Sequence, residues 1–127
     1  MSMRSPLSQA RGLGSAKEGV SHWWMQRLTA IALIPLTLWF VFSVAYYHVS
    51  AYPVMVAWLK NPYVAVTLLL YFAAVFYHAA LGVQVVVEDY VAGEGAKLLL
   101  IVGSKFGLVV LAVASMFAVL KIAFGVV

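Results

Sequence analysis

The sequence contains no cysteine. That excludes disulfides, thiolate metal sites, iron–sulfur ligation by this chain and thioether attachment of a c-type haem. Charge is scarce too. Only 9% of the residues are Asp, Glu, Lys or Arg, where a soluble domain carries roughly 25%. No phosphate-cradling glycine loop, no HExxH and no plausible Ser–His–Asp set occurs, so the common soluble-enzyme chemistries have no footing. Residues 1–21 hold no apolar stretch of the kind a secretory signal needs. The same stretch is basic and Ser-rich, as transit peptides are, but it is short and lacks an amphipathic repeat. It reads as a cytoplasmic tail.

What is present is apolar. Hydrophobic residues make up 65% of 127, more than a soluble domain of this size can hide. The chain therefore reads as an all-α integral membrane protein with three transmembrane helices. From Leu28 to Tyr47 no charge occurs, and twenty helical residues span about 30 Å, the thickness of a bilayer's hydrocarbon core. The three spans are expected at about 27–48, 63–88 and 97–124. Residues 1–20 would form the tail and 21–127 one membrane domain. Pro53, Lys60, Asn61 and Pro62 mark the first connection, with a short interfacial helix in "YPVMVAWLK". "AGEG" at 92–95 breaks the second span from the third.

The cations set an orientation. Arg4, Arg11, Lys17, Arg27, Lys97 and Lys105 fall on one side of this topology, Lys60 and Lys121 on the other. The positive-inside bias puts the N-terminus in the cytoplasm. A nucleic-acid partner is not expected, because basic and aromatic residues are not interleaved.

An ionisable group inside a bilayer costs several kcal/mol unless it is paired or hydrated, so each one needs a reason. His78 lies deep in the second span. By itself a membrane histidine more often joins helices through a hydrogen bond, although imidazole is also a good axial ligand for haem iron. Ala73, Ala74, Ala79, Ala80 and Gly82 around it are small and permit close approach by a helix or a flat macrocycle. Asp89 follows eleven residues later, about 16 Å along a helix and only about 20° around it. Tyr90 presents a phenol at the same helix end, able to donate to a carbonyl such as a quinone's, or to serve as an interfacial anchor. His22 and Gln26 share a face four residues apart, and Arg27 either anchors the first helix or pairs with a carboxylate. Lys105 is read as snorkelling and His48 as interfacial. Gly103 and Gly107 form a GxxxG pattern of the kind that packs helices.

"H-AALGVQVVVE-DY", together with the first-helix start "SHWWMQRLTAIAL", resembles the small hydrophobic anchor subunits of succinate dehydrogenase, the D subunits of respiratory complex II. The resemblance runs from about residue 12 onward. It implies that His78 is one axial ligand of a b-type haem iron, shared with a partner anchor of the C type that supplies the second histidine. It implies that Tyr90 hydrogen-bonds ubiquinone, that Asp89 belongs to the proton environment of that site, and that Arg27 lies by the haem propionates or the quinone pocket, with His22 near it. It also implies an iron–sulfur subunit and a flavoprotein subunit as partners, a shared helical bundle with the second anchor, and no catalysis by this chain alone. A bacterial inner membrane is the expected location, with a mitochondrial inner membrane as the alternative. An anchor of a quinol–fumarate reductase and a cofactor-free membrane scaffold are the other readings.

Overall fold

The computed structural model describes residues 19–47 and 50–125. The tail with Arg4, Arg11 and Lys17, and His48, lie outside the described residues. Four helices follow one another: α1 Gly19–Tyr47, α2 Tyr52–Lys60, α3 Pro62–Tyr90 and α4 Glu94–Ala123. Helices α1, α3 and α4 are each long and apolar enough to cross a bilayer. With no water to bond exposed backbone groups in hydrocarbon, an uncharged run of this length satisfies its own N–H and C=O groups as a helix.

The helices are longer than the apolar spans. Helix α1 runs from Gly19, and its 29 residues extend about 44 Å. Apolarity marks where hydrocarbon begins and ends, whereas helical hydrogen bonding carries on into the interface. The start of α1, ahead of the uncharged run from Leu28, carries His22, Gln26 and Arg27. Pro35 lies inside α1 and cannot bond the Ile31 carbonyl.

The connections follow their chemistry. Helix α2 occupies "YPVMVAWLK", with a proline in its first turn. Asn61 serves two helices: its N–H bonds Trp58 O at 3.2 Å, closing α2. Its side-chain oxygen accepts from Tyr63 N–H at 3.0 Å, opening α3, with Pro62 at the position where a missing N–H costs nothing. Between α3 and α4 only residues 91–93 are extended. Gly95, read as part of the break, lies inside α4. At the far end Gly125 takes φ 73°, the left-handed conformation that glycine adopts without strain. The Lys60 ammonium lies against Gly125, near the negative end of the α4 dipole.

Helix α3 is central, packed against α1, α2 and α4. Few side chains are buried among the described residues. Ala65, Leu68 and Val119 form a cluster with Trp39, Phe40, Leu59 and Phe72 against it. Leu81 and Val87 are buried towards the other end of α3. Rings fill the space beside the cluster: Phe40 stacks on Tyr71 at 4.7 Å, and Tyr47 on Trp58 at 4.9 Å. The outer faces of α1 and α4, including Ile34, Phe42, Val110 and Phe117, remain exposed apolar surface, which suits lipid or another membrane helix. A Cβ at Gly103 or Gly107 would meet nothing within 4 Å. The GxxxG pattern is therefore not a packing face within this chain.

Candidate functional site

The polar side chains of α1 that face α3 recur at helical spacing. His22, Gln26 and Thr29 stand at i, i+4 and i+7, one stripe of the helix. Opposite them α3 presents His78 and Gly82, and the two helices meet through one hydrogen bond. Thr29 Oγ1 is 2.9 Å from His78 Nδ1. Thr29 Oγ1 is also 2.7 Å from Met25 O and 3.1 Å from Gln26 O, one helical turn back. His78 Nε2 makes no hydrogen bond among the described residues. The Gln26 amide lies over Gly82, where an added Cβ would be 3.6 Å from Nε2, an ordinary contact. His22 Nε2 and Gln26 Oε1 are shielded from solvent and have no partner among the described residues.

Three other hydroxyls of the spans behave differently. Thr67, Ser104 and Ser115 bond only backbone carbonyls of their own helices. Thr29 alone among these hydroxyls also reaches a side chain on another helix.

The last turn of α3 carries the remaining candidates. Helix α3 is continuous from Pro62 to Tyr90, so Asp89 keeps its position about 20° from the His78 face. Asp89 is exposed, and Tyr90 is 84% exposed. Glu88 is held one turn back by the Gln84 amide, which donates at 2.7 Å. Arg27 does not pair with Asp89. Its guanidinium stands 5.5 Å over the Trp23 ring, and the ion pair found among the described residues is Lys97–Glu94 at 3.6 Å.

Two open grooves adjoin this region. One, of about 660 Å³, lies between the start of α1 and α3 and is lined by His22, Met25, Leu81, Gln84 and Glu88 among others. A second of the same volume runs between α3 and α4, apolar along Ala73, Ala80, Leu108 and Ala112, with His22, Gln84 and Lys105 at its polar end. His78 lines neither. On α3 the groove residues Ala73, Tyr77, Ala80 and Gln84 lie about 100–160° around the helix from His78. The small residues near His78 are thus divided. Ala73 and Ala80 serve the α4 side and Gly82 the α1 side.

Among the described residues no three His, Asp or Glu side chains gather as a metal site. The fit of a haem therefore rests on one nitrogen. His78 has Nδ1 engaged and Nε2 unbonded, the arrangement of a ligating imidazole. Ala74 and Gly82, one turn either side on the same helix face, are small, and the Gln26 amide already covers Gly82. The residues present fit the group.

Sequence reasoning missed Thr29 and Gln84. The i, i+4, i+7 recurrence of polar residues in an otherwise apolar helix was the signal that could have found Thr29. Nothing short of the fold links it to a residue 49 positions away.

Comparison with known proteins gives a consistent result. Residues 1–121 match the family model described as succinate dehydrogenase/fumarate reductase transmembrane subunit. The chain is 35% identical over 116 residues to the succinate dehydrogenase hydrophobic membrane anchor subunit of Rickettsia bellii (strain RML369-C), covering 91% of this chain and 93% of that protein. To the subunit of the same description from Paracoccus denitrificans it is 31% identical over 121 residues, covering 95% and 93%. To the succinate dehydrogenase membrane anchor subunit of Reclinomonas americana it is 33% identical over 85 residues, covering 65% and 71%.

Proposed function

The chain belongs to the succinate dehydrogenase/fumarate reductase transmembrane-subunit family, and from that premise we propose that it is the hydrophobic membrane anchor of a succinate:ubiquinone oxidoreductase. Its work is done in a complex. A second anchor subunit completes the helical bundle, an iron–sulfur subunit delivers electrons and a flavoprotein subunit holds the succinate chemistry. The N-terminus faces the cytoplasm, and the membrane is a bacterial inner membrane. The observation that carries the reading is the continuous helix α3. It holds an imidazole with a free Nε2 at mid-span and an exposed Asp-Tyr pair in its last turn.

Each residue then has a task. His78 Nε2 would hold the iron of a b-type haem together with a histidine of the partner anchor. The haem supplies a one-electron centre inside the membrane when bound. At the cytoplasmic end of α3 the Tyr90 phenol donates a hydrogen bond to a carbonyl oxygen of ubiquinone, orienting it for reduction. Ubiquinone reduction takes two electrons and two protons. Asp89, exposed beside Tyr90, keeps an acceptor and carrier of protons in contact with water, which a carboxylate deeper in the bilayer would lose. His22 and Arg27, about one and two turns into the same end of α1, supply donors suited to haem propionates or the rim of the quinone pocket. The family description also covers fumarate reductase, in which the same anchor would pass electrons from quinol. The quinone pool and growth condition separate the two directions.

The test is a reduced-minus-oxidised visible spectrum of the purified complex, wild type beside His78→Ala. A low-spin b-type band in the wild type that is lost in the variant is the expected outcome. A band left unchanged would move ligation to another residue.

A further inference from the structure

We propose that Thr29 is a positioning residue for His78, which fixes the tautomer and the ring orientation so that Nε2 is the iron-binding nitrogen. The inference rests on the haem reading above and adds the residue that prepares the ligand.

The argument is a count of protons. A threonine hydroxyl has one hydrogen to donate and two lone pairs to accept with. Thr29 Oγ1 has three neighbours: Met25 O at 2.7 Å, Gln26 O at 3.1 Å and His78 Nδ1 at 2.9 Å. The two carbonyls can only accept, and Met25 O is the nearest of the three. The hydroxyl proton goes to Met25 O, the usual back-bond of a helical threonine. Oγ1 then meets Nδ1 with a lone pair, so Nδ1 must carry the hydrogen. A neutral imidazole has one N–H. With that hydrogen on Nδ1, Nε2 keeps its lone pair, and it has no other partner among the described residues.

The consequence is pre-organisation. The bond holds the ring against α1 at a fixed angle, and the α1 backbone anchors the far end of the relay through the Met25 carbonyl. An acceptor behind the non-ligating nitrogen makes an imidazole more basic towards a metal. The opposite tautomer would point an N–H at the iron and leave Oγ1 donating to Nδ1 at the expense of the shorter bond to Met25 O.

The experiment compares Thr29→Val and Thr29→Ser in the purified complex with all its subunits. Valine keeps the shape and removes the hydroxyl, while serine keeps the hydroxyl and removes the methyl. The readouts are haem content, the low-spin electron paramagnetic resonance signal and the haem midpoint potential. The expected result is that Thr29→Val loses haem or, where haem is retained, shifts the potential upward and alters the low-spin signal. The upward direction follows because a less basic imidazole stabilises ferric iron less. Thr29→Ser matches the wild type in all three. If the two variants behave alike, both unchanged or both depleted, the hydroxyl is not what acts on His78 and the inference fails while the haem reading stands. A wild-type complex without a b-type band overturns the haem reading and this inference together.

Discussion

The two ends of the bundle are built on different principles. At the α2 end, four helix segments meet around Ala65, Leu68 and Val119, and rings from α1, α2 and α3 fill the space between them. The contacts are apolar, and an open groove of about 240 Å³ lies among them. At the end where α1 starts and α3 finishes, burial is thin and the side chains are polar. His22, Gln26, Thr29 and His78 form a seam, two of their atoms are shielded without partners, and Asp89 and Tyr90 stand exposed. Packing there is left to be completed by something outside the chain. Apolar rings dominate one end, and polar side chains without full pairing the other. Exposed, incompletely paired groups are what binding and proton transfer use and what a core cannot tolerate.

The contrast can be broken by substitution. Leu68 is 3% exposed, and Leu68→Ala should destabilise the folded anchor by about 2–5 kcal/mol through the cavity it leaves. Denaturant titration of the complex measures this. The haem band of the surviving complex should keep its position, and a shifted band would show that the two ends are coupled. Tyr90→Phe is the opposite case. It should lower quinone reduction about tenfold, the effect of one lost hydrogen bond of about 1.4 kcal/mol, with unchanged stability. Succinate oxidation by an artificial acceptor should stay largely intact. Equal loss of both activities would point to failed assembly. The smallest effect is expected at Asn61, where Asn61→Ala removes the α3 cap and costs about 1 kcal/mol. The loss should appear in stability alone, with the haem spectrum and quinone reduction as in the wild type.

Much of this fold is legible in the sequence because a bilayer imposes so few solutions. Twenty uncharged residues can cross it only as a helix, and "YPVMVAWLK" between two proline-marked boundaries reads as a helix for the same local reasons. Helix ends were less legible. Hydrophobicity marks the uncharged run from Leu28, and helical hydrogen bonding carries on ahead of it at the start of α1. Within the candidate site, the placement of His78 and Asp89 on one face needed only an unbroken helix. Arg27 shows the limit: its charge suggested a carboxylate, but Trp23 one turn away on its own helix is the contact made. The small residues around His78 suggested one space and instead serve two neighbouring helices.

The sequence alone therefore determined that the chain is helical, that three of its helices are long and apolar enough to cross a membrane, and which residues fall at the middle and which at the ends of those helices. Those properties depend on local composition and on the 1.5 Å rise of a helix. Only the tertiary structure decided which helix is central, which glycines are in contact, and that Thr29 and His78, 49 positions apart, share a hydrogen bond. Pairing across helices depends on how their faces are rotated against one another, and packing, not hydrophobicity, sets that rotation.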